Sequence, residues 1–202
     1  VSLAGRVLLA EPLERLDASS AIDAIVVVAP PGWEEPAILV AEEISAGKVV
    51  ACVTGGTRSR AESVRLGVAE VPSDAAVILV HDAARPLLAA EVIDRVLAPL
   101  AEGFDGAVPG VPISDTVKRA PGGVVSETLD RSGLYAVQTP QAFVAEGLRR
   151  ALAATDADLT DCATYVERAG GRVRVVEGDA RLVKVTTAAD LASVEALLSP
   201  AA

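Results

Sequence analysis

The chain has 202 residues, 51% of them apolar, and a formal net charge of −10. That length fits one domain around a single substantial core, and the acidic balance excludes a nucleic-acid surface, which needs clustered positive charge. Aromatics are only 2%, so the core falls to Ala, Val, Leu and Ile, and no apolar run approaches the ~20 residues of a membrane span.

The opening stretch VSLAGRVLLAEPLERL is too acidic and lacks the basic flank of a signal peptide, so a soluble cytoplasmic protein is expected. In chain order, apolar β-branched runs at 24–28, 49–53, 77–80 and 106–111 predict strands. They recur about every 25 to 30 residues, the period of a strand plus a crossover helix. Being apolar throughout, they read as strands covered on both faces, as in a parallel sheet. Helical patterns fall between them at 34–44, at 62–70, and along the stripe Val92, Ile93, Val96, Leu97 and Leu100. Thr187 and Asp190 form a Thr-x-x-Asp cap for a last helix carrying Leu191, Val194 and Leu198. The sum is an open, doubly wound, mostly parallel α/β domain over residues 1–202.

Residues 114–131 interrupt this alternation. The stretch is polar, with Pro121-Gly122-Gly123 as a turn signal at its middle. Two strands around that turn carry too little apolar surface to be core, so the hairpin must lie against something else. A surface flap and an arm reaching a second subunit fit the spacing equally well.

In open α/β sheets ligands bind beyond the carboxyl ends of the strands. That rule gathers Pro30-Pro31-Gly32, the segment from Thr54 to Arg60, and the run HDAARP at 81–86 along one edge. The Gly55-Gly56 loop precedes a helix and offers N–H groups to an anion or a base edge, although a tight turn explains it too. Asp82 suits a metal ion or a sugar hydroxyl and Arg85 a phosphate; the bland alternative is an Asp–Arg pair at a helix start. Lys184 sits in the apolar run 182–185, a costly place unless a ligand or carboxylate meets it. Lys118 and Arg131, beside the hairpin, read as solvated charges.

Cys52 and Cys162 show no metal-ligand spacing and read as free buried thiols. The one histidine, His81, excludes any site that needs two, and no Gly-x-Ser-x-Gly elbow presents a serine. With no covalent nucleophile in view, phosphoryl or nucleotidyl transfer suits the chain, since positioning and electrostatics supply most of that catalysis.

Taken in order, GGTRSRAESV, VILVHDAARP, PISDTVKR, LDRSGLYAVQTPQAF, Thr160-Asp161 and VKVTTAADL resemble the 2-C-methyl-D-erythritol 4-phosphate cytidylyltransferases. The resemblance runs from residue 1 to about residue 198, and the ribitol-5-phosphate cytidylyltransferases share most of it. It implies a nucleotide-diphospho-sugar transferase-like fold. It also implies that CTP and the sugar-alcohol phosphate react to a CDP-alcohol and pyrophosphate, with Mg²⁺ bound alongside the triphosphate. On this resemblance Arg131 and Lys184 position the sugar phosphate, Gly56 and Ser63 border the cytosine, and Asp82 and Arg85 line the sugar and phosphate region. Thr116, Thr139 and Thr160 contact the methylerythritol phosphate. The hairpin becomes the arm of a homodimer, carrying Thr116 and Arg131 to the neighbouring subunit's site.

Three departures accompany the resemblance. The family begins with a strand and a loop of the form Ala-Ala-Gly-x-Gly-x-Arg followed by a lysine, whereas VSLAGRVLL resembles the family just after that lysine. With no methionine in the chain, the expectation is that residues precede Val1. The Gly-Gly loop is one residue longer than usual, and Cys162 stands where an acidic residue is common. The alternatives are a ribitol-5-phosphate enzyme and a truncated domain that binds without turnover.

Overall fold

The computed structural model describes residues 1–155 and 157–198. A short ribbon of β1 (Ser2–Leu3) and β2 (Arg6–Val7) leads into α1 (Ala10–Ala18). The expected alternation follows as β3 (Ile25–Ala29), α2 (Glu34–Glu43), β4 (Val49–Thr54), α3 (Arg60–Glu70), β5 (Val77–Val80), α4 (Ala90–Ala101) and β6 (Gly106–Pro112). After β6 come the hairpin strands β7 (Lys118–Arg119) and β8 (Glu127–Thr128), joined across a 3₁₀ turn at Pro121–Gly123. The chain closes with β9 (Tyr135–Val137), β10 (Gln141–Val144), α5 (Ala145–Ala153), α6 (Cys162–Arg168), β11 (Val173–Glu177) and α7 (Ala188–Leu198).

The four expected strands are all present, but they do not join into one sheet. β3 and β4 form a parallel pair by themselves. The larger sheet runs β11-β6-β10-β5, with β9 added along the far half of β6. Within it β11 is parallel to β6, whereas β10 lies antiparallel between β5 and β6. The sequence reading did not single out β9, β10 or β11. Each is short, and Gln141 in β10 and Arg174 in β11 interrupt the apolar run that marks a buried strand.

The periodicities have visible causes. Along β3 the burial alternates, with Ile25, Val27 and Ala29 buried. These three pack with Leu13 of α1, Val40 of α2 and Val92 and Ile93 of α4. The other face packs Ile78 and Phe143 against Ala61 and Val68 of α3, Leu148 of α5 and Tyr165 of α6. The core is aliphatic, as the composition implies, with Phe143 and Tyr165 its buried aromatic members. α7 begins where expected. Asp190 Oδ2 accepts from the N–H groups of Thr186 (3.0 Å) and Thr187 (2.8 Å), and Thr187 Oγ1 accepts from Asp190 N–H at 3.2 Å. Among the described residues no helix is long and apolar enough to cross a membrane.

Candidate active site

The carboxyl ends of β3, β4 and β5 share one edge. Ser59 caps α3, accepting from Glu62 N–H at 3.2 Å, and so aims the first turn of that helix at the end of β5. Arg60, the first helical residue, reaches across and donates through Nε to Asp82 Oδ1 at 3.0 Å. From the other side Lys184 Nζ donates to Asp82 Oδ2 at 2.8 Å. One carboxylate therefore holds two cations, and the trio carries a net positive charge open to an anion.

Asp82 is the buried member of the trio, its side chain 15% exposed against 42% for Lys184. Burial by itself would raise its pKa; the hydrogen bond from Lys184 and the charges of Arg60 and Lys184 outweigh that and hold it below the ordinary carboxylate value. The lysine placed in an apolar run thus does meet a carboxylate. Residues 182–185 pair with no strand, however, and Lys184 reaches Asp82 from an extended segment that Val185 ties down by donating to Ala84 O at 2.7 Å.

Arg85 does not pair with Asp82. Its guanidinium donates to Leu182 O at 2.6 Å, and its Nε is buried without a partner among the described residues. Burial pushes its pKa down. The bland Asp–Arg pairing is therefore absent, and Arg85 instead fastens the loop after β5 to the segment that carries Lys184.

His81 and Thr139 organise the same loop. Nε2 of His81 lies 3.0 Å from Arg85 O, which only accepts, so Nε2 carries the proton. Nδ1 is then the acceptor for the Thr139 hydroxyl at 3.2 Å, and Thr139 Oγ1 in turn accepts from Asp82 N–H at 3.0 Å. Burial, above all, pushes the His81 pKa down to about 4. A neutral ring fits this chain of bonds; a protonated one would turn a donor on the Thr139 hydroxyl.

Gly55 and Gly56 form the neighbouring wall. Gly56 N–H donates to Ser63 Oγ at 3.0 Å. A Cβ at Gly55 would stand 2.9 Å from Ser63 Oγ, and one at Gly56 2.3 Å from Glu62 Cγ, so both positions exclude a side chain. Thr160 is exposed and precedes Asp161, the cap of α6. Asp161 Oδ2 accepts from Gln141 Nε2 at 3.1 Å, and Gln141 Oε1 accepts from Cys162 N–H at 3.2 Å. The Cys162 thiol lies 3.9 Å from Arg60 Nη1, and burial raises its pKa, so it stays protonated.

Of the residues singled out from sequence, the fold brings together Asp82, Lys184 and Thr139, with Arg85 behind them and Gly56 and Ser63 alongside. Thr116 and Arg131 lie apart, exposed on the two flanks of the hairpin. Among the described residues no ion pair or side-chain hydrogen bond joins either of them to the Asp82 cluster. Sequence reasoning placed Arg60 and His81 in the segments along the ligand edge without giving either a role, and it missed Gln141 altogether. The signal for Arg60 was its place one residue after a serine cap at the end of a strand; Gln141 and His81 act through buried bonds that no spacing discloses. No three His, Cys, Asp or Glu side chains among the described residues converge as a metal cage.

A model of the 2-C-methyl-D-erythritol 4-phosphate cytidylyltransferase family matches residues 1–200. A protein of that name from Saccharopolyspora erythraea is 43% identical over 203 residues, spanning 98% of this chain and 89% of its own. One from Nocardia farcinica is 44% identical over 187 residues, covering 92% of this chain and 79% of its own. Among solved structures, a 4-diphosphocytidyl-2C-methyl-D-erythritol synthase superposes with a TM-score of 0.86 at 38% identity, over 98% of this chain and 93% of that one. The 2-C-methyl-D-erythritol 4-phosphate cytidylyltransferase of Thermus thermophilus superposes with a TM-score of 0.82 at 32% identity, over 97% and 91%.

Proposed function

The chain belongs to the 2-C-methyl-D-erythritol 4-phosphate cytidylyltransferase family, and on that premise we propose that it transfers the cytidylyl group of CTP to 2-C-methyl-D-erythritol 4-phosphate. An oxygen of the sugar-alcohol phosphate bonds to the α-phosphorus of CTP. The bond from that phosphorus to the bridging oxygen breaks, pyrophosphate leaves, and 4-diphosphocytidyl-2-C-methyl-D-erythritol remains.

The observation that carries this reading is the carboxylate of Asp82 with a cation on each oxygen. An ammonium has three donors, and Asp82 engages one of those on Lys184, leaving two for a phosphate oxygen. Asp82 thus orients Lys184 before substrate arrives, which is how positioned charge lowers the barrier of a phosphoryl or nucleotidyl transfer. Thr139 fixes the loop that bears Asp82, and Gly56, tied to the Ser63 hydroxyl, borders the flat cytosine together with Ser63. Arg85 and Thr160 complete the sugar-phosphate side.

Arg131 and Thr116 extend from the hairpin with no ion pair or side-chain hydrogen bond among the described residues, which supports a homodimer in which each arm serves the neighbouring site. Both Asp82 oxygens are occupied and no carboxylate cluster stands beside them among the described residues, so this chain's residues do not fit a protein-held metal. Mg²⁺ is proposed as part of the CTP ligand, carried on the triphosphate, whose charge it neutralises. The soluble enzyme would work in the cytoplasm.

Pyrophosphate release from CTP tests the reading directly. Release that requires methylerythritol phosphate and is lost in Lys184→Ala is the expected result. Faster release with ribitol 5-phosphate would replace the substrate, and none with either would leave a domain that binds without turnover.

A further inference from the structure

Where β9 passes into β10, three polar side chains in four residues are turned inward. Gln138 is 8% exposed, Thr139 4% and Gln141 2%. A buried polar side chain costs free energy unless its donors and acceptors are met, so the partners of these three disclose what the connection holds.

Gln138 meets Asp179 twice. Its Nε2 donates to Asp179 O at 2.8 Å, and its Oε1 accepts from Asp179 N–H at 3.0 Å. A Cβ at Gly178 would stand 2.5 Å from that Oε1, so the glycine lets the amide lie against the backbone. Asp179 O also accepts from Leu182 N–H at 3.0 Å, which closes the turn leading to Lys184. The segment bearing Lys184 pairs with no strand, and tethers stand in for a ladder: Gln138 at Asp179, Arg85 at Leu182 and Ala84 at Val185.

Gln141 repeats the pattern on another segment. Its Oε1 accepts from Cys162 N–H at 3.2 Å, and its Nε2 donates to Asp161 Oδ2 at 3.1 Å. The other oxygen of Asp161 accepts from the Thr164 N–H at 3.0 Å and its hydroxyl at 2.6 Å. Thr160 is thereby presented from the start of a fixed helix. Between the two glutamines, Thr139 holds the N–H of Asp82. A carboxamide offers a donor and an acceptor side by side, which neither a carboxylate nor a hydrocarbon does.

We propose that Gln138 and Gln141 are positioning residues: Gln138 sets the segment bearing Lys184, and Gln141 the one bearing Thr160. Lys184 and Thr160 take their roles from the transfer reading, on which this rests. Residues 138–141 then fasten three separate segments of the site, and the two amides serve different steps. Lys184 positions the reacting phosphate, so loss of the Gln138 amide lowers kcat. Thr160 contacts the methylerythritol phosphate, so loss of the Gln141 amide raises KM.

The test replaces each amide by its near-isostere, Gln138→Glu and Gln141→Glu, turning an oxygen on the acceptor that the amide had served. Pyrophosphate release is measured from about pH 8 down to about pH 5, across which a buried glutamic acid regains its proton. Gln138→Glu is expected to lower kcat about tenfold with KM little changed. Gln141→Glu is expected to raise the KM for methylerythritol phosphate about tenfold with kcat little changed. Each defect, relative to the parent chain at the same pH, should shrink as pH falls and the acid becomes a donor again. Parent-like kinetics, a defect that moves kcat and KM alike in both variants, or one that pH does not move overturns the proposal. Amide hydrogen exchange distinguishes this from failure of the reaction itself. Asp179 should exchange about tenfold faster in Gln138→Glu only, and Cys162 in Gln141→Glu only. A parent chain that released no pyrophosphate would remove the transfer reading. That division of exchange would still support the positioning, and its absence would overturn it.

Discussion

Asp82 is the residue on which most of the site's geometry depends. Replacing it by asparagine keeps the shape but leaves Arg60 and Lys184 facing each other without the shared anion. The half-exposed cations temper the loss, so Asp82→Asn should cost about 1–2 kcal/mol of stability, measured by urea unfolding. It should also lower turnover by tenfold or more, about 1.4 kcal/mol of barrier. Arg131→Ala should separate the two effects. Its side chain makes no ion pair or hydrogen bond among the described residues, so the unfolding midpoint should stay put while turnover falls by about a hundredfold. His81 sets a pH dependence. The unfolded chain takes up a proton below about pH 6.5, the folded one only near 4. The stability this difference contributes is complete above pH 6.5 and is lost as pH falls toward 4. It amounts to at most roughly 3 kcal/mol, because the ring is not fully sealed from solvent. Urea midpoints across that interval should show the loss, and His81→Asn should flatten it. The sequence disclosed Asp82 and Lys184 because charge in an apolar setting stands out. It hid the carbonyl on which Arg85 spends its guanidinium, because which backbone oxygen lies nearby is settled only by tertiary packing.

At the scale of elements, α3 has the most to lose from a single atom. Its cap, Ser59, fixes the entry of the helix that carries Arg60 and Ser63. Ser59→Ala should cost about 1 kcal/mol in denaturant unfolding, with a rise in KM larger than the fall in kcat if the cap chiefly places binding groups. The hairpin has the opposite character. It is held by Arg119–Glu127 and by Lys118 Nζ donating to Thr128 Oγ1, all exposed, and it displays Val124 and Val125 to solvent. Deleting residues 119–127 should therefore leave the unfolding midpoint unchanged while reducing the mass in solution from dimer to monomer. An unchanged mass would make the hairpin a surface flap. α2, α3, α4 and α7 were legible from their apolar stripes and cap, and β3, β4, β5 and β6 from continuous apolar, β-branched runs recurring at the spacing of a strand plus a helix. β10 was not. Gln141, fully buried and bonded to Asp161 and to Cys162 N–H, reads as a surface residue until its partners are known.

For the molecule as a whole, the division into two sheets sets the order of local opening. β6 lies between β10 and β11 and is buried along most of its length, whereas β3 and β4 lean on helices for cover. Amides of Ala107, Ala142 and Phe143 should exchange most slowly, and those of Val26 and Val28 faster, in native-state hydrogen exchange. The α/β class was plain from composition and rhythm. That the strands stop short of a continuous sheet was not, because each strand's residues report how it is covered above and below and say nothing of its neighbours at the sides.

The bond between Lys184 and Asp82 spans 102 positions of the chain. Val185 to Ala84 and Arg85 to Leu182 close loops of nearly the same length. A ribosome making this protein exposes the loop after β5 long before the segment that completes it. The Asp82 acceptor is therefore made 102 positions before the Lys184 donor that completes its pair. Any product released earlier lacks the lysine, so activity reports that translation has passed residue 184.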